Sequence, residues 1–359
     1  MHNLRIARCL FCLLALILPC AGCEFDYFAQ LIGGESTLLL STTSVDAALN
    51  DPRLTDDERG ELLLTQDVRQ YGIDTLGMTA GNAFTTFVWD GNGPAAYILA
   101  ASAKDSLTPY VWFFPFVGLW EAKGYFDEGM ARREAQRLSD QGYDIYLGQA
   151  EGFSTLGFLP DPIRQSNLQS SDEIDLAELI LHEMTHSTVI KPSDIDFSES
   201  LATFLGRSGA QAWFNDRFGA GSAEALTAHD RFADKAVIDE FVVDLIDRMT
   251  AYYADAAAQG VPRDLIIANR EAEFAAARIR YETDYRPRII DQERWGPIGE
   301  TTFNNAMLLT AIRYQGWLSD YQTVLDELEG DFPAAIEVYR QAAAVDDSRQ
   351  FLRDWAAAH

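Results

Sequence analysis

The chain has 359 residues, and 28 Lys and Arg against 55 Asp and Glu leave a formal charge of −27. An acidic balance of that size repels nucleic acid and anionic lipid headgroups, so neither is an electrostatic partner. The length permits one large domain or two, and 48% hydrophobic residues are enough to bury a sizeable core.

Residues 1–22 read as an export signal. Arg5 and Arg8 give a positive start, Cys9 to Leu18 form an apolar run too short for a stable span, and Pro19-Cys20-Ala21-Gly22-Cys23 offers small residues for cleavage. Cys20-Ala21-Gly22-Cys23 also resembles the lipobox of bacterial lipoproteins, whose last cysteine is acylated and becomes the N-terminus; Cys20 stands where that pattern usually has Leu. All 4 cysteines fall in this segment, so the mature chain keeps Cys23 alone and forms no internal disulfide. Losing two arginines and no acid takes the charge from −27 to −29. The expected location is the bacterial cell envelope, lipid-anchored at Cys23 and facing the periplasm. Glu24, in place of the Asp linked to inner-membrane retention, favours the outer membrane.

No second long apolar span, repeat or linker follows, which predicts a single domain over 23–359. Ser44 to Asn50 reads as a short helix. Thr55-Asp56-Asp57-Glu58 has the form of a capping box opening a helix to about Tyr71, ended by Gly72 and Gly77. Thr85 to Trp89 and Ala95 to Ala100 read as strands joined by a hairpin turn at Asp90-Gly91-Asn92-Gly93. Val111 to Phe114 is an aromatic run, a helix is expected from Asp127 to Asp140, and Tyr143 to Leu147 reads as a strand. Ser154-Thr155-Leu156-Gly157 is a candidate edge strand that would align a peptide substrate by backbone pairing. The pattern predicts an α+β, mostly helical fold. Its sheet-containing part covers about 80–160 and is small and mainly antiparallel. Metal-binding helices occupy about 172–218, and a helical remainder about 222–357. Within that remainder, long helices are expected over 222–258 and 262–282, with shorter ones after Thr301, Trp317 and Phe332.

The chemistry concentrates in Leu176 to His186, an apolar helical run ending in His182-Glu183-Met184-Thr185-His186. Positions i and i+4 share a helix face, so His182 and His186 can offer imidazole nitrogens to one metal ion. Glu183 projects about 100° round the helix and can act as general base on water without taking a coordination site. Leu176, Leu179, Ile180 and Met184 form the burying stripe. Glu178, one turn before His182, is expected to be a solvated carboxylate. A catalytic zinc takes three protein ligands. Glu199 follows His186 by 13 positions, past a loop containing Pro192, and is expected in the first turn of a helix capped by Ser198 or Asp196. His229, in a very acidic helix, is the competing third ligand. The Glu199 arrangement resembles that of gluzincins.

Taken together, several segments resemble the predicted aminopeptidase family of bacterial lipoproteins. They are Cys20 to Cys23, Phe114-Pro115 with Gly118, Lys123-Gly124-Tyr125-Phe126, Ser154 to Gly157, Asp161-Pro162, His182 to His186, Phe197-Ser198-Glu199-Ser200 and Asn304-Asn305-Ala306. They cover most of the mature chain in order; the departure is Ser198, where the family has Asn before the Glu. The resemblance implies a zincin-like metallopeptidase with one zinc ion per chain, cleaving peptides or proteins from the N-terminus.

Glu183 would then carry the proton from water to the leaving amine. Tyr125 and Tyr314 are the candidate donors to the developing oxyanion. Asn304 and Asn305 are expected to cap a helix. Glu151, Asp161 and Asp196 are equal candidates to receive the substrate's free amine. The alternatives are an endopeptidase of the same mechanism and a non-catalytic envelope lipoprotein whose metal site is structural or vestigial.

Overall fold

The computed structural model describes residues 27, 30, 31, 33, 34, 41–91, 94–114, 118–150 and 161–359. The export signal with Cys23, the turn residues Asn92 and Gly93, Glu151 and the Ser154 to Gly157 stretch lie outside the described residues.

The first elements form where their caps are. β1 (Thr42–Ser44) runs into α1 (Val45–Leu49), where the Ala47 N–H donates to Ser44 Oγ at 3.1 Å. α2 (Asp56–Asp74) opens on the expected capping box: the Glu58 N–H donates to Thr55 Oγ1 at 3.2 Å and the Thr55 N–H donates to Glu58 Oε2 at 2.9 Å. α2 does not stop at Gly72. That glycine is buried inside the helix, and a Cβ there would lie 2.7 Å from Met184 Cε and 3.0 Å from Leu181 Cδ2. Its missing side chain lets α2 lie close against the helix that carries the histidines. Gly77, at φ +73°, makes the turn that follows.

The strands divide into three small sheets. β2 (Thr86–Val88) pairs antiparallel with β1 and parallel with β8 (Ile163–Arg164). β3 (Ala96–Ser102) pairs antiparallel with both β6 (Ala122–Tyr125) and β7 (Asp144–Ala150). β4 (Trp112–Phe114) and β5 (Gly118–Trp120) form a separate ribbon. The expected hairpin between β2 and β3 is therefore absent: the two strands belong to different sheets. The Asp90 carboxylate explains this. It accepts from Arg164 Nε at 2.7 Å, the Ser166 N–H at 3.0 Å and Ser166 Oγ at 2.8 Å, which ties the end of β2 to β8 and α4 (Gln165–Ser170).

α3 (Glu128–Asp140), capped by Asp127, covers β3, β6 and β7 and closes a core of Leu99, Trp112, Tyr125 and Leu138. From α5 (Glu173–Thr188) onward the chain is almost all helical. α6 (Ile195–Phe218) packs along α5 and α2, and α11 (Leu318–Glu327), α12 (Phe332–Ala343) and α13 (Ser348–Ala358) complete the main core around them. α7 (Ala223–Ala258) and α8 (Arg263–Arg280) build a further core with Phe241, Phe274 and Tyr281. The chain then passes through the short α9 (Gln292–Trp295) to α10 (Asn305–Gln315). No helix among the described residues is long and apolar enough to cross a membrane.

One buried polar cluster fastens this helical half to the sheet. Arg270 of α8 and Asp144 of β7, 5% and 6% exposed, form a bidentate pair with contacts of 2.6 and 2.8 Å. Asn305 joins them. Its N–H donates to Asp144 Oδ2 at 3.0 Å, its Nδ2 donates to the carbonyls of Ala103 at 2.9 Å and Ser106 at 3.1 Å, and it accepts from the Tyr253 hydroxyl at 2.9 Å. Asn304 caps α10 as expected, accepting from the Met307 N–H at 3.0 Å, while Nδ2 donates to the Ile145 carbonyl at 3.0 Å. Asn305 is thus a cross-brace and not a cap. The start of α10 is fixed on the sheet, which decides where its far end lies.

Candidate metal centre

α5 begins at Asp172, whose carboxylate accepts from the N–H groups of Ile174 at 3.2 Å and Asp175 at 3.0 Å. Leu176, Ala177, Ile180, Leu181 and Met184 are buried, whereas Leu179, expected in the stripe, is only half-buried; the buried face turns His182 and His186 toward α6. The two imidazoles stand edge to face, with centroids 5.1 Å apart.

Glu199 reaches them from the second turn of α6. The helix starts earlier than the sequence suggests, because Asp194 caps it by accepting from the Phe197 N–H at 3.0 Å. Ser198 does other work: its hydroxyl accepts from the Lys191 N–H at 3.0 Å and donates to the Asp194 carbonyl at 3.1 Å. Lys191 Nζ in turn donates to the Val345 carbonyl at 2.8 Å and Ser348 Oγ at 2.9 Å. The loop between the two helices is held from both sides, and Glu199 is set with it.

Glu199 Oε2 lies 3.4 Å from His182 Nε2 and 3.6 Å from His186 Nε2, and one donor atom from each of the three residues lies within 4.8 Å of the others. An ion about 2.0–2.1 Å from each of two donors at a tetrahedral angle separates them by roughly 3.3–3.4 Å. The two Glu199 distances fit that spacing, and two imidazole nitrogens with one carboxylate are a zinc-type donor set. This His-His-Glu group can hold a metal ion. Burial disfavours charge on both His186 and Glu199, but their partners outweigh it. Glu199, Glu183 and Asp161 bring the His186 imidazolium up to about 8, and the two imidazoles hold the Glu199 carboxyl far below its usual range.

Glu183 is half-buried beside the three donors, and its Oε2 is fully buried with no hydrogen-bond partner among the described residues. A buried carboxylate oxygen left unpaired is costly unless something else occupies its site. Tyr314, on the last turn of α10, has its ring 6.3 Å from that of His182. Tyr314 is 38% exposed, yet loss of water around its phenol and then the nearby charges of Glu199 and Glu183 push its titration well above the usual range, so it keeps its O–H as a donor.

Tyr125 is elsewhere in use. It is 2% exposed in the sheet-side core, where its ring lies 5.3 Å from that of Tyr27 and 5.7 Å from the Lys123 ammonium. His229 is exposed on α7 next to Asp230 and is not among the grouped donors. Asp196 is engaged by Arg313 at 3.3 Å, whereas Asp161 is near enough for its charge to act on His186. Glu178 is not a solvated carboxylate. Arg207 lies 3.1 Å away and Lys235 is in direct contact, the latter also 3.0 Å from Asp175. Arg231 and Arg294 reach Asp175 at 2.9 and 2.6 Å. Cations from α6, α7 and α9 thus neutralise the acidic side of α5 below the histidines.

Sequence reasoning missed Gly206, although a glycine inside a long apolar helix is its signal. A Cβ there would lie 2.9 Å from the Glu178 carbonyl oxygen and 3.3 Å from His182 Cβ. Gly206 lets α6 approach α5 beside the first histidine. Backbone cannot yield as a side chain does, so Gly206→Ala is expected to cost about 1–3 kcal/mol in urea unfolding. It should also weaken metal binding in a titration, because the two ligand-bearing helices move apart.

These elements define an α+β, mostly helical protein with a two-histidine, one-glutamate candidate metal centre. The family model described as "Putative aminopeptidase" matches residues 26–352, and the chain belongs to that family. The family's name gives peptide hydrolysis as its activity. Neither a curated protein nor a solved structure matches the chain.

Proposed function

We propose that the protein is a zinc-dependent aminopeptidase of the bacterial cell envelope, tethered through an acylated Cys23. The observation that carries the catalytic part is the convergence of His182, His186 and Glu199 beside a Glu183 oxygen that is buried and unpartnered. A structural site has no use for that fourth group, whereas hydrolysis needs a base in that place.

His182, His186 and Glu199 would hold the ion. Zinc bound there supplies Lewis acidity to water and to the scissile carbonyl. Glu183 takes the proton of the attacking water on its unpaired oxygen and passes it to the leaving amine. The Tyr314 O–H, kept protonated first by desolvation and then by the charges of Glu199 and Glu183, donates to the oxygen that becomes negative. Asp161, whose charge already acts on His186, receives the substrate's ammonium group. Tyr314→Phe is expected to lower kcat by about 10²-fold with metal content unchanged and KM within a few-fold; an unaltered kcat would remove Tyr314 from the mechanism.

The test of the whole reading is metal analysis of the purified protein followed by digestion of two peptide libraries, one N-free and one N-blocked. Stoichiometric zinc with cleavage of N-free peptides alone supports an aminopeptidase. Cleavage of blocked peptides makes it an endopeptidase, and bound zinc without cleavage of either leaves a non-catalytic lipoprotein.

A further inference from the structure

The β4–β5 ribbon has one face that is exposed among the described residues. Trp112 and Phe114 point inward and are 5% and 9% exposed. Phe113 and Leu119 stand opposite each other in the register and are 66% and 72% exposed, with Val111 at 40% beside them. An exposed pair of large apolar side chains on a ribbon marks a contact surface.

The N-terminal segment shows what meets it. Tyr27 packs on the inner side of this same region, its ring 5.7 Å from Phe114 and 5.3 Å from Tyr125. The buried Lys123 ammonium sits 4.0 Å over the Tyr27 ring, and the Phe126 N–H donates to Gln30 Oε1 at 2.8 Å. Tyr27 is therefore pinned next to the ribbon. Cys23 precedes it by four residues, a length of chain that spans at most about 14 Å. An acyl chain on Cys23 would hold the bilayer surface within about that distance of Tyr27, and so close to the ribbon.

We infer that Phe113 and Leu119 dock on the bilayer, entering the zone between headgroups and acyl chains, so that the protein rests on the membrane in one orientation; this rests on the acylation of Cys23 proposed above. The mature charge of −29 favours neutral over anionic lipid, whose headgroups repel it. The orientation carries over to the metal centre. Glu121, which follows the ribbon directly, is 3.0 Å from Arg313, the neighbour of Tyr314. Docking therefore keeps the catalytic side at a set height above the membrane.

The test uses the full chain, exported and processed in bacteria, purified and reconstituted in phosphatidylcholine vesicles. With Cys23 acylated, Leu119→Cys supplies a single thiol for an environment-sensitive fluorophore. Leu226→Cys, at a leucine 50% exposed on α7, supplies the comparison. A nitroxide quencher carried on lipid is expected to quench the label at 119 several-fold more than the label at 226, with a blue-shifted emission at 119 only. Equal quenching at both positions overturns the docking. Mass analysis of the N-terminal peptide and vesicle flotation separate the two readings. An acylated chain that floats but leaves 119 in water sinks the docking alone, whereas an unacylated chain that stays in solution sinks the anchor and the docking together. Shielding of 119 only when peptide is added overturns the docking in favour of a substrate-binding lip.

Discussion

Glu183→Gln is expected to lower kcat on peptides by about 10²–10⁴-fold while the metal content stays at one per chain. Gln has the size of Glu and keeps a polar atom at the buried Oε2 position, but it cannot accept and return a proton. Glu183 is not one of the three grouped donors, so the site should load as before. The contrast is Glu199→Ala, which removes one of the three grouped donors and should lose metal and activity together. Metal analysis and steady-state kinetics on the two variants separate base from ligand. An active Glu183→Gln enzyme would show that another group moves the proton.

Arg270→Met is expected to destabilise the protein by about 3–5 kcal/mol, read as a lower urea midpoint. Methionine fills much of the space, yet Asp144, 6% exposed, is left as a buried charge without its cation. The Asn305 N–H remains as a partner for Asp144 but supplies no full positive charge. Replacing both members, Arg270→Met with Asp144→Leu, should recover part of the loss, because two buried charges are then absent instead of one. The effect on catalysis should be indirect. Arg270 lies at the anchored end of α10 and Tyr314 at the other, so the folded fraction of the single variant should show a reduced kcat with normal metal content. A variant as stable as the parent would mean that water reaches Asp144 and that the pair contributes little.

What could be read in advance divides by distance along the chain. Thr55 with Glu58 and Asn304 before α10 are local devices, and each caps its helix as expected. The metal motif was legible for the same reason: His182 and His186 are one turn apart, and Glu199 follows on the next helix. Asp90-Gly91-Asn92-Gly93 has strong local turn chemistry, yet Asp90 is claimed by Arg164 and Ser166, more than 70 positions away, and the hairpin does not form. Gly72 looked like a helix end because the side chains it makes room for, Leu181 and Met184, lie on another helix. Glu178 looked solvated because Arg207 and Lys235 come from two later helices. Tyr125 and Tyr314 are indistinguishable as letters; only the packing of β6 into the sheet core and the anchoring of α10 place one in that core and the other beside His182.

α7 reaches from the main core, through Ala225 and Ala228, to the second core, through Val237, Phe241, Leu245, Met249 and Tyr253. At 36 residues it is about 54 Å long, and its hydrogen-bonded backbone has no glycine or proline at which it can part. The two cores therefore share a shaft. Neither can melt without fraying a helix whose other half is still buried, so heat should be taken up by both in a single step, and the peptidase should lose its shape all at once rather than shed its helical half.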